Sequence, residues 1–248
     1  MMSPSLPYQR TLLALVLVVS LLAQMPARVL AWVMPAPLLM EGTSGSLWSG
    51  QAARAQLHLG DRSFLLGRLR WQLHPFSLLW LHPSMSIETI WGSQVINAEL
   101  TLGPTGRVVV ESGIVRLDAA LFNNLAPTYV GGSLEGDVER LVWSGQGIET
   151  LRGRLLWRRA VWQTRTGDVA LGDYVAELTD NQQGTQAKVF TLSGPLQVDG
   201  QVLLQSSGYQ IDLNLAGPAT RNTGLRNSLD LLATPVDTGY HLEWQGRL

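Results

Sequence analysis

Apolar and polar residues alternate strictly along much of the chain, the pattern of strands that bury one face and wet the other. Over residues 53–59 the apolar set is Ala53, Ala55, Leu57 and Leu59, against Arg54, Gln56 and His58. Leu69, Trp71 and Leu73 likewise oppose Arg68, Arg70, Gln72 and His74. Late in the chain Tyr209, Ile211, Leu213 and Leu215 oppose Gln210, Asp212 and Asn214, and Tyr240, Leu242 and Trp244 oppose His241 and Glu243. Turn residues at Gly103-Pro104-Thr105-Gly106, Gly131-Gly132, Asp199-Gly200 and Asp237-Thr238-Gly239 predict short antiparallel connections, with Asp199-Gly200 the clearest hairpin. Two short helices are predicted, at 118–125 and at 225–232, the second with Leu225, Leu229 and Leu232 at helical spacing ahead of Pro235. The β–helix alternation of a parallel doubly wound sheet is missing. The chain therefore reads as all-β, a mainly antiparallel curved meander with one or two short helices and one N-terminal membrane helix.

That membrane helix is the one long departure from alternation. Residues 11–27 carry no charge, and 12–23 are almost wholly Leu, Val and Ala. Seventeen residues at about 1.5 Å each reach about 26 Å, close to the thickness of a hydrocarbon core. Arg10 and Arg28 flank the run and can snorkel, with Trp32 at the far interface. A cleaved signal peptide is the rival reading, because the run is short and starts near residue 11. Met25-Pro26-Ala27-Arg28 makes a poor cleavage site, however, so the anchor is expected to stay. Arg10 and the α-amino group on one side, against Arg28 on the other, mildly favour a cytoplasmic N-terminus. The expected organisation is residues 1–40 as cytoplasmic N-terminus, anchor and exit segment, and 41–248 as one periplasmic, mainly-β domain. A transmembrane β-barrel fits poorly, since an uncleaved apolar helix does not normally precede one.

A loose internal echo pairs Leu47-Trp48-Ser49-Gly50 with Val142-Trp143-Ser144-Gly145, and Gly67-Arg68-Leu69-Arg70-Trp71 with Gly153-Arg154-Leu155-Leu156-Trp157. Both a duplicated strand unit and recurrent Gly-apolar-Trp chemistry produce it.

Composition narrows the function classes. Only 15% of residues are charged and 46% are hydrophobic, which excludes a disordered chain. A net charge of −1 leaves no basic field for nucleic acid. The absence of cysteine excludes disulfides, thiolate zinc sites and Cys nucleophiles. The four histidines, His58, His74, His82 and His241, fall on polar strand faces or in a turn, and none are paired at metal-ligand spacing. Ser49 and Ser144 follow tryptophans without the Gly-x-Ser-x-Gly elbow. Glu135 and Asp137 read as a wet strand face, and the single lysine, Lys188, belongs to no phosphate loop. No catalytic, cofactor-binding or metal residue is assigned, and no enzyme activity or cofactor is expected. The arginines at 152, 154, 158, 159 and 165 are a candidate contact for an acidic partner, interleaved with Leu155, Trp157 and Trp162. Nine tryptophans serve core or interface, and exposed sheet edges offer sites for strand addition by a partner.

Three stretches resemble the type II secretion system protein N (general secretion pathway protein N) family. Gly45-Ser46-Leu47-Trp48-Ser49-Gly50-Gln51-Ala52 is similar to its Gly-x-Leu-Trp-x-Gly-x-Ala element, and Arg70-Trp71-Gln72-Leu73-His74-Pro75 to its Trp-x-Leu-x-Pro segment. Leu225-Arg226-Asn227-Ser228-Leu229, then Pro235, Tyr240 and Leu242-Glu243-Trp244-Gln245-Gly246-Arg247-Leu248, resemble its characteristic end. The middle, about 80–190, matches only in alternation and glycine spacing. The resemblance implies a single-pass inner-membrane protein, mostly periplasmic, in the machine that moves folded proteins across the outer membrane of Gram-negative cells. Its implied partners are other inner-membrane platform subunits and the outer-membrane secretin, with no activity or cofactor. More distantly the strand pattern is similar to AsmA-like envelope proteins, whose curved sheets are associated with lipid handling. That similarity gives the alternative expectation of lipid bound or passed along a hydrophobic β-groove.

Overall fold

The structure, a computed structural model, describes residues 12–13, 16–17, 20–21, 24–33, 38–59, 62–80, 82–103, 106–124, 130–144, 147–164, 167–181, 184–205 and 208–246. The chain forms two compact units, Met1–Trp91 and Gly92–Leu248.

In the first unit a short helix α1 (Arg28–Val33) precedes four antiparallel strands in sequence order, β1 (Leu38–Gly45), β2 (Ser49–Leu59), β3 (Arg62–Leu73) and β4 (Ser84–Trp91). Its core is Ala52, Ala55, Leu69, Trp71, Leu73 and Met85. The alternation of Leu69, Trp71 and Leu73 against Arg68, Arg70 and Gln72 holds as read. In β2 the phase differs from expectation. Ala52 and Ala55 are the buried pair and Ala53 is exposed. The pairing of β2 with β3 shifts register between Ala52 and Ala55, and such a bulge reverses which residues face the core.

The anchor expected at 11–27 falls partly outside the described residues, which omit 11, 14–15, 18–19 and 22–23. Within it 12–13, 16–17 and 20–21 are helical, with their leucines and valine exposed, whereas 24–27 have left the helix. Among the described residues no helix is long and apolar enough to cross a membrane. The chain that follows is tied to the β1–β2 turn. Ala27 N–H donates to the Gly45 carbonyl at 3.2 Å, Leu47 N–H donates to the Met25 carbonyl at 2.8 Å, and Pro26 stands opposite Ser46 in an antiparallel bridge.

The second unit contains β5 (Gln94–Leu102), β6 (Val108–Asp118), β7 (Val130–Ser144), β8 (Gly147–Thr164), β9 (Gly167–Asn181), β10 (Gly184–Ser193), β11 (Gln197–Gln205), β12 (Gly208–Ala216), α2 (Thr223–Leu232), β13 (Thr234–Val236) and β14 (Gly239–Gly246). Strands β5 to β12 lie side by side in sequence order, followed by β14 and then β13. The antiparallel meander read from the sequence is the architecture of each unit.

Two of the predicted turns are strand interior instead. Gly131-Gly132 lies within β7, where the β7–β8 register shifts between Gly131 and Ser133. Gly132 has φ 111°, and a Cβ there would come within 2.6 Å of the Arg158 carbonyl oxygen. Asp199-Gly200 lies within β11, opposite Phe190 and Val189 on one side and Asn214 and Leu213 on the other. Gly200 has φ 154°, and its missing side chain lets the backbone of Asp212 and Leu213 approach. In both places glycine permits close strand approach, a use that sequence alone does not distinguish from a turn. Gly103 and Gly106 do close the β5–β6 connection, and 237–238 the β13–β14 turn.

The predicted helix at 225–232 is α2, started by Asn222, whose side-chain oxygen accepts from the N–H of Gly224 and Leu225. Leu225 and Leu229 are buried against Ala160, Leu171, Tyr174, Leu196, Ala219 and Tyr240. The one predicted at 118–125 is a short 3-10 helix, Ala119–Asn124; Leu125 lies outside the described residues.

Candidate functional site

The two faces of the second unit differ sharply in chemistry. On one face of β6–β9, Glu135 sits between Arg116 at 3.9 Å and Arg158 at 3.2 Å, and Arg154 meets Glu177 at 3.0 Å. Further along, Arg152 meets Asp180 at 2.7 Å. Cross-strand pairing explains the arrangement, since Arg116 lies directly opposite Glu135 and Arg154 opposite Glu177. Exposed pairs of this kind each stabilise by only about 0–1 kcal/mol. An open groove of about 630 Å³ crosses this face, lined by Arg116, Glu135, Asp137, Arg154 and Glu177 with the apolar Ile114 and Leu156.

The arginine cluster expected to meet an acidic partner is thus largely neutralised within the sheet. Arg152, Arg154 and Arg158 each hold a carboxylate of a neighbouring strand, and Arg165 lies outside the described residues. Arg159 has another task. It adopts φ 49° where the β8–β9 register shifts between Trp157 and Ala160, and its N–H donates to Asp173 Oδ1 at 2.7 Å. Ser193 Oγ donates to the other oxygen of Asp173 at 3.1 Å. These bonds, the backbone one first, hold the Asp173 carboxyl below its ordinary value of 3.8. Sequence reading did not single out Asp173, because only the bulge makes it a substitute for a ladder acceptor.

The opposite face is apolar. Trp157, Tyr174, Leu215 and Tyr240 pack under α2. Tyr174 O–H donates to the Leu196 carbonyl at 3.0 Å, and burial pushes its phenol pKa up. Tyr240 O–H donates to Asp230 Oδ1 at 2.7 Å, tying β14 to α2, and this bond raises its pKa. Beyond the helix the face continues through Leu178, Val202 and Ile211 to Trp244, which faces Ile211 across the strands and is 47% exposed.

The residues weighed for chemistry stay apart. His74 Nδ1 is 3.2 Å from Ser84 Oγ, and His241 Nδ1 is 3.0 Å from Asn214 Oδ1. His82 is exposed, and His58 buries an Nδ1 that has no hydrogen-bond partner among the described residues. Ser49 belongs to the β1–β2 turn, where its N–H donates to Ser46 Oγ at 3.2 Å, and Ser144 ends β7. Lys188 is exposed in β10 opposite Glu177. Among the described residues no three His, Asp or Glu side chains cluster as metal ligands would.

Against this architecture, the family model for type II secretion system protein N matches residues 36–242, both units from before β1 into β14. The chain belongs to the type II secretion system protein N family. The chain is 28% identical to the type II secretion system protein N of Aeromonas hydrophila over 261 residues, covering 97% of this chain and 99% of that protein. With the protein of the same name from Vibrio cholerae it shares 27% identity over 257 residues, 96% of each chain. No solved structure matches the chain significantly.

The family elements read from the sequence take definite places. Residues 45–50 are the β1–β2 turn with the strand ends that frame it, and Trp71 of the second element donates its indole N–H to the Leu47 carbonyl at 3.2 Å. The final element supplies α2, β13 and β14. The Trp-Ser-Gly echo is not a structural duplication, because Gly50 stands opposite Trp71 whereas Trp157 stands opposite Leu134.

Proposed function

We propose that this member of the type II secretion family is a non-enzymatic, single-pass inner-membrane subunit with its β units in the periplasm. It contributes to the export of folded proteins across the outer membrane through contacts with inner-membrane platform subunits and the outer-membrane secretin. The observation that carries this reading is the family match across residues 36–242. Leu12, Leu13, Val16, Leu17 and Leu21, helical and 58–69% exposed, support the anchor, since so apolar a surface is stable in lipid and costly in water. Deleting the gene in the native host and restoring the full chain tests the role. Exported hydrolases are expected to accumulate in the periplasm of the deletion strain and return to the medium on restoration. Normal secretion without the chain refutes the proposal.

A second reading, lipid held along the apolar face, is favoured by the half-buried Leu178, Val202 and Ile211 and the exposed Trp244 that continue this face beyond α2. It predicts normal secretion but altered outer-membrane lipid composition or permeability in the same deletion strain.

A further inference from the structure

The chain leaving the apolar helix does not dangle. Ala27 and Leu30 are 3% and 5% exposed, although the helical leucines a few residues earlier are mostly bare. Residues 25–27 pair with the 45–50 turn through two backbone hydrogen bonds and the Pro26–Ser46 bridge. That turn is itself built to be rigid. Ser46 N–H donates to the Ser49 carbonyl at 2.9 Å, and Leu73 N–H donates to the Trp48 carbonyl at 2.7 Å. The Trp71 indole holds Leu47 from below. Gly50 has no room for a side chain, since a Cβ would strike the Trp71 ring and lie 2.7 Å from the Ser44 carbonyl oxygen.

We infer that the 45–50 turn is a docking socket for residues 25–27 and the end of the first unit held at the bilayer surface. The chain just after the apolar segment then grips the β unit directly. Leu21 and Met25 are four residues apart, at most about 14 Å even for a fully extended chain, so whatever holds Met25 stays close to the apolar segment. The far end of β2, Leu59, is ten residues from Ser49, about 33 Å away at strand rise, and stands clear of the membrane. The socket gives the Gly-x-Leu-Trp-x-Gly element a task, with Gly45 and Gly50 allowing close approach and Leu47 and Trp48 lending backbone groups. The bilayer placement rests on the anchor reading given above, whereas the docking does not.

The natural chain has no cysteine, so paired cysteines in the full-length protein report without background. Bridge partners lie about 4.5–5.5 Å apart at Cα, within disulfide reach. Pro26→Cys with Ser46→Cys is expected to form a disulfide in membranes, and Pro26→Cys with Ser63→Cys is not. Failure of the first pair, or equal formation in both, overturns the docking. Next, a bimane label is placed singly at Ser49→Cys or at Ser63→Cys, both exposed in the structure, in vesicles of brominated phosphatidylcholine. Loss of fluorescence at 49 with none at 63 is the expected result. Equal quenching at both sites overturns the membrane-facing turn. Quenching at neither also overturns it, and carbonate extraction of the unlabelled wild-type chain tells the cause: release means that the anchor reading failed, retention that the socket points away from the bilayer.

Discussion

Gly50 and Trp71 are the most demanding pair at the scale of single residues, because the indole occupies the space a Cβ at 50 would need. Gly50→Ala is therefore expected to destabilise by about 1–3 kcal/mol through overpacking, read as a fall in the denaturation midpoint of the detergent-solubilised chain. Asp173 sets a pH dependence. Its folded pKa lies below its ordinary 3.8, so its contribution is present above that value and is lost as pH falls through the folded pKa. The gap in melting temperature between wild type and Asp173→Asn is expected to stay constant from neutral pH down to about 4 and to close below it. A gap that stayed constant below about 4 would show that the Arg159 and Ser193 bonds do not depend on the charged form. The buried residues Leu69, Trp71 and Leu73 were legible from alternation alone; Asp173 was not, because its partners come from strands β8 and β10.

At the scale of elements, α2 decides how much of the apolar face of the second unit is closed. Leu225 is almost fully buried beneath it, so Leu225→Ala is expected to cost about 2–5 kcal/mol in denaturant unfolding. Asn222→Ala, which removes only the cap, is expected to cost about 1 kcal/mol. The ratio distinguishes a helix held by burial from one held by its own termination. The helix was legible because leucines at helical spacing and Pro235 frame it. The strand phase of β2 and the strand interiors at Gly132 and Gly200 were not legible. A bulge inverts alternation without altering composition, and a glycine that admits a neighbouring backbone looks the same in sequence as one that turns the chain.

For the whole molecule, attachment and fold are expected to be separable. Leu13→Arg with Leu17→Arg places two charges where lipid is expected, each costing about 2.5–3.5 kcal/mol at a helix centre. The double variant is expected to shift the chain into the carbonate-soluble fraction and to abolish its role in secretion, with the β units still folded by circular dichroism. A variant that remained membrane-bound would refute the anchor.

Residue order by itself determined the class of the protein. Alternation at period two can bury one face only in a sheet, and short connections between such runs make each strand pair with the next. The same order supplied the apolar N-terminal run and the elements that resemble the family. Only the tertiary structure decided which carboxylates Arg152, Arg154 and Arg158 of β8 meet, where the bulges reverse a strand, and that residues 25–27 fold onto the 45–50 turn. Those outcomes depend on cross-strand register and close backbone approach, which are set by atoms far apart in sequence.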